Sequence, residues 1–371
     1  VRIMNAHYVD RFADDLGPEK IVHIYEPKAG LKAIVVIDNL SMGPAVGGCR
    51  MASDVSTREV FRLARAMTLK NALSDLPHGG AKSAILEDPA VTNKEDIVRA
   101  FAQAIKHLPD YIPGPDMGTD ETCMAYIHDE IGRAVGLPHV LGGLPLDELG
   151  ATGYGLAVAA DVASEVIALP LKNARVIVQG FGNVGKAAAH FLTERGATII
   201  ATCDRSGAIH DPGGISIPEL TEFKKSGQAL KHSRLGKVIT HDEMLQLESD
   251  IFIPSARPDV FTLDNQDWLK TKLVLEGANI PITHEAAELM RVRGIVIIPD
   301  VIANSGGVIC AATEYQGMSE NQAFERIELT ISRNTEEVLD RILKQGQFPH
   351  AAAIKMAKER LKEAMAFRAH M

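Results

Sequence analysis

The residues with the clearest capacity for chemistry lie in Leu76-Pro77-His78-Gly79-Gly80-Ala81-Lys82-Ser83, with a second lysine, Lys70, twelve positions before Lys82. From Arg58 to Leu76 apolar residues recur at helical spacing, which puts Lys70 on or beside an apolar helix. Gly79-Gly80 keeps no side chain between backbone and ligand, and leads Lys82 directly into the apolar run Ala84-Ile85-Leu86. Burial disfavours the charged ammonium, so a lysine opening a buried strand is either paired, catalytic or snorkelling to the surface. A carboxylate is the natural complement, and Asp116 is a candidate for acid/base work. Pro113 and Pro115 keep the chain extended up to it, and Thr119 or Asp120 caps a helix starting near Glu121.

These groups need elements to hold them. Strand-like runs cover Ile21 to Tyr25 and Ala33 to Ile37, and an amphipathic helix covers Glu95 to Leu108. The glycine-rich stretch Ser41 to Met51 reads as a loop, or as a place where a ligand meets backbone. Gly136 to Gly150 is the best domain boundary, and Ala151 to Val166 is a small-residue helix. A strand, Arg175 to Gln179, then runs into Gly180-Phe181-Gly182-Asn183-Val184-Gly185 and a helix, Lys186 to Arg195. The next strand, Ala197 to Cys203, ends at Asp204, 19 positions beyond the third glycine. Strand, GxGxxG, helix and a distal acid form the full dinucleotide-binding frame. Gly180 and Gly182 allow a tight turn and close approach of a pyrophosphate to the helix N-terminus, and Gly185 lets the helix lie on the strand. Asp204 would accept from the ribose hydroxyls of NAD and repel a 2′-phosphate, although the adjacent Arg205 leaves NADP open. Short apolar runs at Asp250–Ile253, Leu273–Leu275 and Ile295–Ile298 continue a parallel sheet, whose tips, including Ala256, would rim the cofactor cleft. Two long amphipathic helices follow from Asn321 onward.

Composition excludes several classes. The 371 residues are 46% hydrophobic and 23% charged, which suits a soluble globular protein of two or three domains. A net charge of -9 without a basic run argues against nucleic acid. No apolar stretch reaches membrane-span length, and Val1 to Leu16 has no signal-peptide core. Four scattered cysteines and histidines without ligand spacing predict neither disulfides nor a metal site, and a cytoplasmic location.

Taken together, the chain resembles the glutamate/leucine/phenylalanine/valine dehydrogenase family. The likeness rests on Gly47-Gly48-Cys49-Arg50, Met67-Thr68-Leu69-Lys70, Leu76 to Lys82, Pro113-Gly114-Pro115-Asp116, Ala151-Thr152-Gly153, Gln179 to Gly185, Glu276-Gly277-Ala278-Asn279-Ile280-Pro281 and Pro299-Asp300 with Asn304-Ser305-Gly306-Gly307-Val308. The resemblance implies an α/β protein. A substrate-binding and oligomerisation domain would span 1–145 and a Rossmann-type NAD-binding domain 146–330, and the helices of 331–371 would return to the first. It implies reversible NAD(P)-dependent oxidative deamination of an L-amino acid to a 2-oxo acid and ammonia, by a homo-oligomer. Lys70 would hold the substrate carboxylate. Lys82, with a lowered pKa, would activate water and polarise the carbonyl, and Asp116 would shuttle protons. Gly47, Gly48 and Met67 would lie on the substrate side with Asn304, and Thr152 and Asn279 by the nicotinamide ribose or amide.

Glutamate-specific members carry a lysine where this chain has Val46 and a serine where it has Ala311. Both changes remove partners for a γ-carboxylate, whose unpaired burial would cost several kcal/mol. The expectation is therefore a branched-chain or aromatic amino acid, although Pro113 to Glu121, Glu276 to Asn279 and Ala151 to Gly153 look more like the glutamate branch. Ser305 stands where alanine is usual. Two rivals stay open. One is a glutamate dehydrogenase using Arg50 or Arg257 for the γ-carboxylate. Another is a nucleotide-binding regulatory protein without turnover. A reductase of hydroxy acids is disfavoured, because it leaves the two lysines unexplained.

Overall fold

The computed structural model describes residues 12–368, so most of the N-terminal stretch read for a signal peptide lies outside it. The chain divides into two units. The first is built on β1 (Lys20–Glu26), β2 (Leu31–Asn39), β3 (Ala45–Met51), α1 (Thr57–Leu73), β4 (Gly80–Ile85), α2 (Lys94–Ala104), β5 (Tyr111–Pro115) and α3 (Glu121–Ile131). Its sheet runs β1-β2-β4-β3-β5, with β3 parallel to both β4 and β5. β2 is almost continuously buried because both faces of the sheet are covered. Val35 and Ile37 pack in the core with Phe101 and Ile127, whereas Ile34 and Val36 pack with Val60 and Ala64 of α1. Ser56 caps α1 by accepting from Glu59 N, and Asp120 caps α3 by accepting from Cys123 N.

One expectation fails here. Residues 45–51, within the stretch expected to be a loop, form an interior strand of this sheet. Glycine is a poor strand former in isolation, but close packing requires it at two positions. A Cβ on Gly47 would lie 1.7 Å from Ala81 O, and one on Gly48 would lie 2.9 Å from Lys82 Nζ.

The second unit contains α4 (Ala151–Val166), β6 (Arg175–Gln179), α5 (Asn183–Glu194), β7 (Thr198–Asp204), β8 (Gly207–His210), α6 (Ile217–Lys225), β9 (Lys237–Ile239), α7 (His241–Leu245), β10 (Ile251–Pro254), β11 (Leu273–Leu275), α8 (His284–Val292), β12 (Val296–Ile298) and α9 (Asp300–Ala303). The sheet order is β12-β11-β10-β6-β7-β8-β9, with β12 to β7 parallel and β8 and β9 antiparallel at one edge. The order reverses direction at β6, the crevice position where doubly wound sheets bind ligands. No helix among the described residues is long and apolar enough to cross a membrane.

Three further helices, α10 (Gly306–Tyr315), α11 (Glu320–Leu343) and α12 (Pro349–Phe367), are shared out differently from the simple return expected of 331–371. Val308–Ala323 and the chain from Ala357 group with the first unit, and Phe324–Met356 with the second. The packing explains the division. Tyr315 meets His78 edge-on at 5.6 Å, and Arg360 donates to Leu73 O, whereas Phe324 packs on Tyr154 at 4.7 Å. Glu314 completes the first unit by accepting from Leu137 N (3.1 Å) and Leu144 N (2.9 Å), satisfying backbone donors at the two buried ends of the 136–144 turn. Replacing Glu314 by alanine leaves both donors unmet. Urea denaturation should report a loss of about 2–3 kcal/mol; an unchanged midpoint would contradict this account of the turn.

Candidate active site

In the first unit, α1 and β4 meet where Gly80 passes Thr68 so closely that a Cβ would lie 2.1 Å from Thr68 N. Asn71 fastens the same crossing by donating to Gly79 O at 2.7 Å. Lys70 and Lys82 each lie two residues beyond this crossing, and both are about 8% exposed. The Gly79-Gly80 turn thus brings the helix bearing one lysine against the strand bearing the other. Met67 is half-buried on the same helix.

Lys82 forms an ion pair with Asp116, and Arg50 stands 3.6 Å from the same carboxylate while also holding Glu59 at 2.6 Å. Burial pushes the Asp116 carboxyl up, but the Lys82 charge and contact, then Arg50, outweigh it and hold it below the usual carboxylate range. Asp116 follows directly on β5, as the proline spacing predicts. Its backbone N donates to Thr119 Oγ1, which in turn donates to Cys49 O at 2.7 Å. Beneath the pair, the Tyr111 hydroxyl donates to Gly47 O at 3.0 Å and meets Ser83 Oγ at 2.8 Å. Tyr111, Ser83 and Asn71 are supporting residues that motif reading does not single out, and Thr119, expected as a possible helix cap, supports Asp116 instead. Each partner lies at least three positions away, and most lie tens of residues away, so no local pattern marks them. Val46 is 6% and Ala311 8% exposed, and neither offers a polar side-chain atom.

The second unit holds the remaining candidates. Gly180 has φ +105°, and a Cβ there would lie 2.7 Å from the Ala256 Cβ; a Cβ on Gly185 would lie 1.8 Å from Gly180 O. Gly182 is the N-cap of α5 and faces open space, leaving the helix N-terminus accessible. Asn183 and Val184 form the first turn, with the Asn183 amide donating to Asp147 at 3.0 Å. This turn borders a cavity of about 1010 Å³ lined by Gly180, Gly182, Asp204, Lys224, Ala256 and Arg257. A turn with an open second glycine, an exposed helix start and a cavity of this size fits a dinucleotide pyrophosphate.

Asp204 lines the cavity, but its oxygens are already engaged. Oδ1 accepts from Ser206 N (2.7 Å) and Ser206 Oγ (2.6 Å), and Oδ2 accepts from Leu230 N (3.1 Å) and pairs with Lys224. Burial acts to raise its carboxyl, but these donors, Lys224 first, bring it down to about 2. Thr152, Asn279 and Asn304 are gathered around the start of α10. A Cβ on Gly307 would lie 2.9 Å from Thr152 Oγ1, and the Asn304 amide donates to Gly277 O, Ala278 O and Asn279 Oδ1 at 3.2–3.3 Å.

A side chain at position 48 would place its Cβ 2.9 Å from Lys82 Nζ, the Asp116 Cβ and Pro115 O, so both the pair and the end of β5 must shift. Gly48→Ala should therefore lower kcat of this site by about 10²-fold or more, measured on protein that circular dichroism shows to be folded; unchanged turnover would show that the pair is not used.

Two family models match the chain: "Glu/Leu/Phe/Val dehydrogenase, dimerisation domain" over residues 18–133, and "Glutamate/Leucine/Phenylalanine/Valine dehydrogenase" over 142–369. A glutamate dehydrogenase of Aeropyrum pernix is 35% identical over 322 residues, covering 81% of this chain and 77% of its own. Among solved structures, the hetero-hexameric glutamate dehydrogenase of Thermus thermophilus in a leucine-bound form is 28% identical with a TM-score of 0.84, covering 95% of this chain and 90% of that one. The L-tryptophan dehydrogenase of Nostoc punctiforme is 25% identical with a TM-score of 0.75, covering 95% and 97%.

Proposed function

We propose that this chain, which belongs to the glutamate/leucine/phenylalanine/valine dehydrogenase family and is an NAD(P)-dependent amino acid dehydrogenase, acts on an L-amino acid with an apolar side chain, branched or aromatic. The observation that carries the reading of the chemistry is the buried Lys82–Asp116 ion pair beneath a glycine, with Lys70 on the adjoining helix. In the reductive direction a 2-oxo acid, ammonia, NAD(P)H and a proton give the amino acid, NAD(P)⁺ and water.

The cofactor, when bound, supplies or accepts the hydride at the substrate α-carbon. The remaining work belongs to side chains. Lys70 binds the α-carboxylate as a fixed cation. Lys82 donates a hydrogen bond to the carbonyl oxygen, favouring attack at carbon, and in the reverse direction activates the incoming water. Asp116, kept ionised by Lys82 and Arg50, takes a proton from the attacking ammonia and returns it to the departing oxygen as water forms. Met67, Gly47 and Gly48 complete the substrate side of the first unit in this reading, and Asn304 is assigned to substrate in the second. Thr152 and Asn279 face the nicotinamide end, and Gly180 to Gly185 with Ala256 hold the pyrophosphate.

The apolar side-chain preference is supported by Val46 and Ala311, which are buried and cannot pair a γ-carboxylate. The rival reading, glutamate, is supported by the A. pernix relative of that name. NADH or NADPH consumption with ammonium and a panel of 2-oxo acids decides between them. Turnover of the leucine, valine or phenylalanine oxo acid about tenfold or more above 2-oxoglutarate is expected; the reverse order would overturn the apolar reading and leave the catalytic residues in place.

We read NAD as the preferred cofactor, with Asp204 at the adenosine ribose. Lys224 partly neutralises that carboxylate, so rejection of a 2′-phosphate should be incomplete. Lys224→Met should lower kcat/KM for NADPH relative to NADH by about tenfold; an unchanged ratio would remove Lys224 from cofactor choice. The matched N-terminal region, described as a dimerisation domain, supports a homo-oligomer.

A further inference from the structure

We propose that the buried Glu276–His350 pair is a positioning device that fixes the segment bearing Asn279, and so sets the nicotinamide end of the cofactor site. This rests on the reading of Asn279 given above. Glu276 follows β11 and is fully buried. His350 Nε2, from the first turn of α12, lies 3.0 and 2.9 Å from its two carboxylate oxygens, and Oε2 also accepts from Asp300 N at 2.9 Å. Asp300 in turn accepts from Ile280 N at 2.9 Å. Residues 276 and 280 are therefore pinned to one another through Asp300, and Asn304 ties the three residues between them.

The segment needs such pinning. Ile280 has φ +49°, a left-handed conformation that a β-branched residue adopts only when its surroundings impose it. A carboxylate with no access to water is also costly without a counter-charge, and His350 supplies it. The charged groups that act on His350 are Glu276 and Asp300. The nearby cation Arg291 is turned elsewhere, stacking on Phe348 at 4.8 Å and donating to Gly346 O.

The pair has a pH signature. Burial pulls the His350 imidazolium down, but Glu276 and then Asp300 outweigh it and bring its pKa to about 9, above the ordinary 6.5. A raised folded value means that the charge contribution to the tie is complete below the ordinary value and is lost as pH rises through about 9. Nicotinamide-end affinity should weaken over that alkaline range.

The experiment measures Kd for NADH and for ADP-ribose, which lacks the nicotinamide, by fluorescence and calorimetry between about pH 7.5 and 10. Wild type should lose about fivefold or more in NADH affinity over this range, with ADP-ribose affinity unchanged. His350→Gln leaves a buried carboxylate unpaired and can fail to fold, so the decisive variant is Glu276→Gln/His350→Gln, a neutral pair of similar shape. Its NADH affinity should no longer depend on pH across the range. The same pH dependence in the double variant, or a parallel loss of NADH and ADP-ribose affinity, would overturn the proposal. Asn279→Ala tests the underlying assignment separately, since it should weaken NADH and spare ADP-ribose. None of these readings requires turnover, so a silent oxo acid panel would sink the catalytic reading without touching this one.

Discussion

A buried ion pair between Lys82 and Asp116 sets the terms for the first unit. Removing both charges from water costs several kcal/mol per ion, which only close approach and further polar partners can offset. Close approach requires that nothing stand between the two groups, and the strand running beside them contributes Gly48 at that point. The parallel register aligns Gly48 with Gly114 and Cys49 with Ser83, so Lys82 and Asp116 arrive from the strands on either side of β3. The glycines weaken β3 as a strand, and its position in the interior of the sheet, paired on both edges, holds it in place. Arg50, one strand residue after Cys49, adds the second cation that keeps Asp116 ionised despite its burial.

The same logic shows why parts of the molecule could be read in the sequence and others could not. The dinucleotide frame is local: β6, the glycine turn and α5 are consecutive, and their residue choices follow from backbone geometry within a few positions. Its strand was legible to the residue at Arg175–Gln179, as was α4 at Ala151–Val166. β3 is hidden from a sequence reading because local propensity and tertiary need conflict there, and the close approach of β4 and β5 is invisible to local pattern. Glu314 was missed for a related reason. Its donors lie 177 and 170 positions away, and nothing in the helix around it marks a carboxylate that completes a distant turn.

Identity of a residue type also proved easier to read than its occupation. Asp204 stands at the strand tip where a ribose acceptor belongs, yet four donors already share its oxygens. Spacing alone identifies the carboxylate but says nothing of Ser206, Leu230 or Lys224, which decide how much of its charge a ligand would meet. Asn304 is similar: the motif marks it, whereas its amide is engaged by the 277–279 segment.

Three of the charge pairs have members that come from different elements, and in these the pairing does more than neutralise. Lys82–Asp116 joins β4 to the end of β5, Asp204–Lys224 joins β7 to α6, and Glu276–His350 joins β11 to α12. Each carboxylate lies at the end of a strand, where backbone N–H groups, as at Met117, Ser206 and Asp300, add hydrogen bonds to its oxygens. Such sites are costly to build from charges alone, since desolvation opposes ionisation at all three carboxyls. The strand ends lower that cost by supplying fixed donors at no further loss of chain entropy. In a parallel sheet these ends also border the crevices open to ligands, so the positions best able to hold a buried carboxylate are also those from which one can act on a bound molecule.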